Sequence, residues 1–132
     1  MLAVDSFTDQ APVLQLLADL EQDGIPQRMF SDVVDGAGRQ HVNLVMKGSG
    51  VLSIALVGHP YVLEQIGMRF LQLEGTSAEA INVMLLAAAG PIDAEKGLWT
   101  LERLVAKNLH ELVDGDHDAR DFIDTACTVQ RP

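Results

Sequence analysis

The chain reads as an α/β domain with a small, mainly parallel sheet, and three observations predict it. Two strand-turn-helix units follow one another in the middle of the sequence, and strand-helix-strand order implies parallel strands joined by a right-handed crossover. Glycine-bearing turns at 48–50 and 75 fall between strand and helix, and Gly67 and Gly90-Pro91 close the helices. At 132 residues, 48% of them apolar, the chain is long enough for one core and for no more than one domain.

The elements follow in order. Residues 11–22 set Val13, Leu14, Leu16, Leu17 and Leu20 on one helical stripe, and Asp23-Gly24-Ile25-Pro26 ends it, which predicts an amphipathic outer helix. Asp35-Gly36-Ala37-Gly38 signals a turn, and His41 to Met46 reads as the first strand. A buried helix is predicted from Ile54 to Ile66. Pro60 interrupts it, so the helix either kinks near Gly58-His59 or begins again with Pro60 in its first turn. Arg69 to Leu73 forms the second strand, and a helix runs from the following turn to Ala89. Beyond it, 95–112 carries Leu98, Leu101, Leu104, Val105 and Leu109 at helical spacing, and 118–126 carries Phe122 and Ile123. The acidic run Asp114-Gly115-Asp116-His117-Asp118 between them reads as a solvated loop.

Charge narrows the function. A net charge of −10 argues against a nucleic-acid binder or a basic membrane-surface helix, both of which need clustered Lys and Arg. The single Cys127 has no internal disulfide partner, and the first ten residues lack the basic and apolar regions of a secretory signal. The longest apolar run, Val83 to Ala89, falls far short of the roughly 20 residues a membrane-spanning helix requires. A cytoplasmic location is the default expectation.

Chemistry is concentrated in the two glycine-bearing turns. Glycine after a strand lets backbone amides approach a ligand, and the start of the next helix adds partial positive charge, so such a turn welcomes an anion. Gly48-Ser49-Gly50 admits three readings: an oxyanion hole, a dinucleotide phosphate loop, or a tight turn with no ligand. The dinucleotide reading needs G-x-G-x-x-G, and Ser53 stands where the third glycine belongs, although Glu74 does end the second strand. Ser77 lies directly between strand and helix in Gly75-Thr76-Ser77-Ala78-Glu79, as a nucleophile elbow would place it. The same residues also spell a helix capping box, with Thr76 as N-cap and Glu79 reaching back to its amide.

Taken together, residues 38–90 resemble the patatin-like lipid acyl hydrolases, in which a Gly-rich oxyanion loop after the first strand is followed by a G-x-S-x-G elbow. Here the loop is Gly48-Ser49-Gly50-Val51-Leu52-Ser53, and one helix and one strand separate it from the elbow. The resemblance implies a three-layer α/β/α fold, shortened relative to the family, with 1–132 as a single domain matching the N-terminal part of the family's catalytic domain. It implies Ser77 as nucleophile, the amides of Gly48, Ser49, Gly50 and Ala78 as oxyanion donors, a lipid or small ester as substrate, and neither metal nor cofactor. The family uses a Ser-Asp dyad without histidine.

The sequence departs from the family at identifiable places. Ser49 and Ser53 replace two loop glycines, and Leu52 occupies a position that is often basic. Glu79 replaces a small residue and adds bulk and negative charge beside a site that holds a negative transition state, which predicts impaired catalysis. Asp114-Gly115 is the only downstream Asp-Gly pair, but it follows a helix where the family has a strand. Ser77, Asp114 and His117 follow the chain order of an α/β-hydrolase triad, though the last two lie three residues apart and would not line up behind one serine. His110 and His117 match no zinc spacing. A non-catalytic binding or interaction module on the same scaffold is the alternative. Two strands leave open edges, which a second copy or a partner would complete.

Overall fold

The computed structural model describes residues 4–48 and 56–106. It is a mixed α/β structure built on a two-stranded parallel sheet. Helix α1 (Asp5–Thr8) and helix α2 (Ala11–Gln22) precede a 3-10 turn at Ile25–Gln27. Strand β1 (Gln40–Lys47), helix α3 (Gly58–Gln65), strand β2 (Met68–Thr76), helix α4 (Glu79–Ala88) and helix α5 (Gly97–Val105) follow.

Helix α2 has the bounds its apolar stripe predicts, and Pro12 stands in its first turn, where a missing N–H costs no helical hydrogen bond. None of its residues is buried, however, and Leu14 and Leu16 are exposed. The predicted turn at 35–38 forms as written. Asp35 Oδ1 accepts the amides of Ala37 and Arg39, Gly38 takes the left-handed φ of 82°, and Val34 bridges antiparallel to Gln40 at the start of β1. Leu56 is helical, Val57 interrupts the helix, and α3 resumes at Gly58 with Pro60 in its first turn.

The register pairs Gln40 with Met68 at one end and Lys47 with Thr76 at the other. Between Val42 and Asn43 it slips by one residue, leaving Leu71 of β2 unpaired as a β-bulge. Paired residues of parallel strands share a face. Val42 with Phe70, Leu44 with Leu73 and Met46 with Gly75 therefore point to one side, where Phe70 and Met46 are buried. The opposite face carries Asn43, Val45, Lys47, Gln72, Glu74 and Thr76, all exposed. Parallel sheets are ordinarily covered on both faces, and among the described residues this half of the sheet is covered on one.

Helix α4 presses its Glu79, Asn82 and Leu86 face inward. Gly75 permits this approach: a Cβ there would stand 2.7 Å from the Glu79 carbonyl oxygen and 2.7 Å from Val83 Cγ2. Helix α5 meets α3 just as closely, since a Cβ on Gly97 would lie 2.7 Å from the Tyr61 nitrogen. No described helix is long and apolar enough to cross a membrane.

Candidate functional site

Gly48, the first residue of one glycine-bearing turn singled out in the sequence, and Ser77 of the other come together at the carboxyl ends of β1 and β2, the edge at which open α/β sheets bind their ligands. Lys47 and Thr76 form the last pair of the ladder, and Gly48 and Ser77 are the next residues on each chain. A Cβ on Gly48 would stand 2.5 Å from the Thr76 carbonyl oxygen, 2.7 Å from Ser77 Cβ and 3.1 Å from the Ala78 nitrogen. Only a residue without a side chain fits there, which explains a glycine whose own φ is unremarkable.

Ser77 has φ 57°, and it is the one described non-glycine residue in the left-handed region. That conformation costs an L-residue roughly 1–2 kcal/mol. It turns the chain sharply from β2 into α4 and leaves the Ser77 side chain exposed. The Ala78 nitrogen donates to no described backbone carbonyl, while the Ser77 and Ala78 carbonyls accept from Ala80 and Ile81 at 3.0 and 3.2 Å. The turn therefore carries an exposed serine at the positive end of a ten-residue helix.

The capping-box alternative is not formed. Thr76 is the last residue of β2, paired with Lys47 in the ladder, and Ala78 occupies the N-cap position with no side-chain cap bond. Glu79 does not reach back to Thr76. It is 0% exposed, its Oε2 accepts a 2.8 Å bond from Asn82 Nδ2, and its Oε1 has no hydrogen-bond partner. The glutamate that the sequence places beside the site is thus folded under it, on the inner face of α4.

Of the predicted oxyanion donors, Gly48 and Ala78 flank Ser77, whereas Ser49 and Gly50 lie outside the described residues, as do Leu52 and Ser53. Asp114, His110, His117 and Cys127 also lie outside them. No group of three or more His, Cys, Asp or Glu side chains that could hold a metal gathers among the described residues.

Sequence reasoning passed over Lys47. Among the described Lys and Arg residues, Arg28 donates to the Asp23 carbonyl, Arg39 pairs with Asp35, Arg69 with Glu95, Lys96 donates to the Gly90 carbonyl, and Arg103 lies 5.0 Å from the Trp99 ring centroid. Lys47 is exposed and has no such partner. The signal that could have found it is a basic residue directly before a glycine turn. Beside it, an open groove of about 240 Å³ is lined by Leu44, Val45, Met46, Lys47, Leu56 and His59.

A second polar cluster sits near the amino end of β2 and holds the framework. Glu64 is buried, and its two carboxylate oxygens accept the amides of Lys96 and Gly97 at 2.7 and 2.8 Å, capping α5 from a neighbouring helix. Burial pushes the Glu64 carboxyl above its ordinary range, against the lowering effect of those amides and of Arg69. Arg69, 5% exposed, donates to the carbonyls of Asp93, Glu64 and Met68 and to Glu95 Oε1. Burial likewise lowers the Lys96 ammonium. At the start of β1, buried His41 lies 3.5 Å from Asp35, whose carboxyl is held down at about 2, chiefly by the Arg39 amide. Each of these groups is occupied with a partner in the framework.

No family model matches the chain, and neither a curated protein nor a solved structure matches it.

Proposed function

We propose that the protein is a patatin-like serine acyl hydrolase acting on lipid or small esters, with Ser77 as nucleophile. One observation carries the reading: Ser77 is held in a left-handed conformation at the strand-to-helix turn, exposed, with Gly48 packed against it. Strain at a single non-glycine residue is a feature of functional sites, and a capped helix start has no need of it. Gly75 supports the reading further, because the first glycine of an elbow motif permits the close strand-to-helix packing seen between β2 and α4.

In this mechanism Ser77 Oγ attacks the ester carbonyl while its proton passes to a carboxylate base. The amides of Ala78 and Gly48 receive the developing oxyanion, aided by the α4 terminus. The alcohol leaves with the proton, and water then hydrolyses the acyl-serine. The base is an aspartate in the family the sequence resembles, and the downstream Asp-Gly pair is Asp114-Gly115. We extend the reading to the family's three-layer architecture and to a cytoplasmic location.

A second reading is favoured by the sheet itself: among the described residues it has two strands and one exposed, mainly polar face, as an interaction module completed by a second copy or a partner would. A fluorophosphonate probe separates the two. Labelling of the folded protein that disappears in Ser77→Ala supports the hydrolase, and no labelling of folded protein supports the module. Glu79→Gly, which restores the family's small residue, is expected to raise the labelling rate, and an unchanged or lower rate refutes a harmful role for Glu79.

A further inference from the structure

We infer that Lys47 is a specificity-determining residue that selects esters bearing a negative group close to the scissile bond, with the acyl chain lying in the groove along β1. The inference rests on Ser77 being the nucleophile.

Lys47 occupies the last paired position of β1, one residue before the glycine that touches Ser77. Adjacent parallel strands lie about 4.8 Å apart, so a lysine opposite Thr76 reaches a group bound over Ser77. Its side chain is exposed, and it is the one described cation with no hydrogen-bond, ion-pair or ring partner. In a chain with net charge −10, a cation left unpaired at the mouth of the site is a local exception to the surrounding field. Glu74 lies on the same face of the sheet next to Thr76, and it would repel an anion placed toward β2. The negative group is therefore directed to the β1 side.

The groove is lined by Lys47, by the apolar Met46, Val45, Leu44 and Leu56, and by His59. At about 240 Å³ it is smaller than the roughly 300 Å³ at which sites for drug-sized ligands begin, which suits one short unbranched chain. Charged head on Lys47 and chain along β1 together describe a single-chain anionic acyl ester. Phosphate and carboxylate share that chemistry.

The test compares three butyryl esters: neutral 4-nitrophenyl butyrate, 5-butyryloxy-2-nitrobenzoate with its carboxylate, and butyryl glycerol phosphate. In the wild type, kcat/KM for one or both anionic esters should exceed that expected from the neutral reference. In Lys47→Gln the anionic-to-neutral ratio should fall about fivefold, expressed in KM, and Lys47→Arg should restore it. Whichever anionic ester loses more identifies the group that is read. Leu44→Trp, which fills the groove, should raise KM for octanoyl relative to acetyl esters. Hydrolysis of all three esters with the same ratio in wild type and Lys47→Gln overturns the inference and leaves the hydrolase intact. No hydrolysis and no Ser77 labelling in the folded wild type removes both.

Discussion

Gly48 and Ser77 approach so closely that a methyl group on Gly48 would stand 2.7 Å from Ser77 Cβ. Gly48 and the turn at Ser77 are therefore one mechanical unit, and the position of the hydroxyl depends on a glycine remote in sequence. Gly48→Ala is expected to cost about 1–3 kcal/mol as an overpacking substitution and to slow probe labelling of Ser77. Urea unfolding and labelling kinetics on the same sample check both halves. A variant with wild-type stability would mean that the contact yields freely.

Ser77 offers a second test because its strain and its chemistry sit on the same residue. Ser77→Gly removes the left-handed cost of roughly 1–2 kcal/mol but loosens the unfolded chain by about 0.4–1 kcal/mol, so a net stabilisation of about 0.5–1 kcal/mol is expected. Ser77→Ala removes the hydroxyl and keeps the strain, and should not show this gain. The difference between the two thermal midpoints reads the strain directly. Equal midpoints would remove the argument for a conformation retained for function.

Arg69 is the buried cation of the framework, with three carbonyls and Glu95 as acceptors. Arg69→Met takes the guanidinium donors away from those carbonyls and the positive charge away from the buried Glu64 carboxyl, and a loss of about 3 kcal/mol is expected by thermal or urea unfolding. The same substitution of Arg28, whose single bond to the Asp23 carbonyl is exposed, should change stability by less than about 0.5 kcal/mol.

Asp35 and Glu64 give stability opposite pH dependences. The folded Asp35 carboxyl sits at about 2 against an ordinary 3.8, so the folded state binds fewer protons than the unfolded chain between those values. Its contribution is complete above about pH 4 and lost as pH falls toward 2. Glu64 is raised by burial, so its contribution is greatest below its ordinary range and declines as pH rises through the folded value. In a series of urea midpoints against pH, Asp35→Asn should flatten the acid limb, and Glu64→Gln should flatten the decline on the other side. Parallel profiles for wild type and Asp35→Asn would contradict the first assignment.

Much of the framework was legible because its signals are local. The apolar stripe of α2, the turn at 35–38, the two strands and the Gly-Pro stop after α4 each depend on residues within one or two turns of each other. The strand-to-helix turn at Ser77 was legible for the same reason, as a short glycine-bearing stretch between a strand and a helix. What remained hidden depended on partners distant in sequence. Thr76 and Glu79 have the spacing of a cap, yet pairing with Lys47 draws Thr76 into the sheet, and the inner face of α4 takes Glu79 under it. β2 accordingly runs to Thr76, three residues beyond the strand its composition predicts. Glu64 reads as one polar residue in a helix, and nothing in its neighbours announces that it caps a helix beginning at Gly97. Helix α2 shows the converse: its periodicity is right, and none of its residues is buried.

The unpaired Leu71 sets the phase of everything after it. Side chains alternate along a strand, so if Leu71 were paired in an unbroken ladder Gly75 would face outward, and Glu74 would be driven against α4. The strand behaves as two rulers joined at a slip joint, one reading out the core at Met68 and Phe70, the other aligning the edge that carries Ser77. Removing Leu71 itself would leave both rulers facing as they do, whereas losing a residue from Gln72 to Gly75 would change which side chains the second ruler turns toward α4.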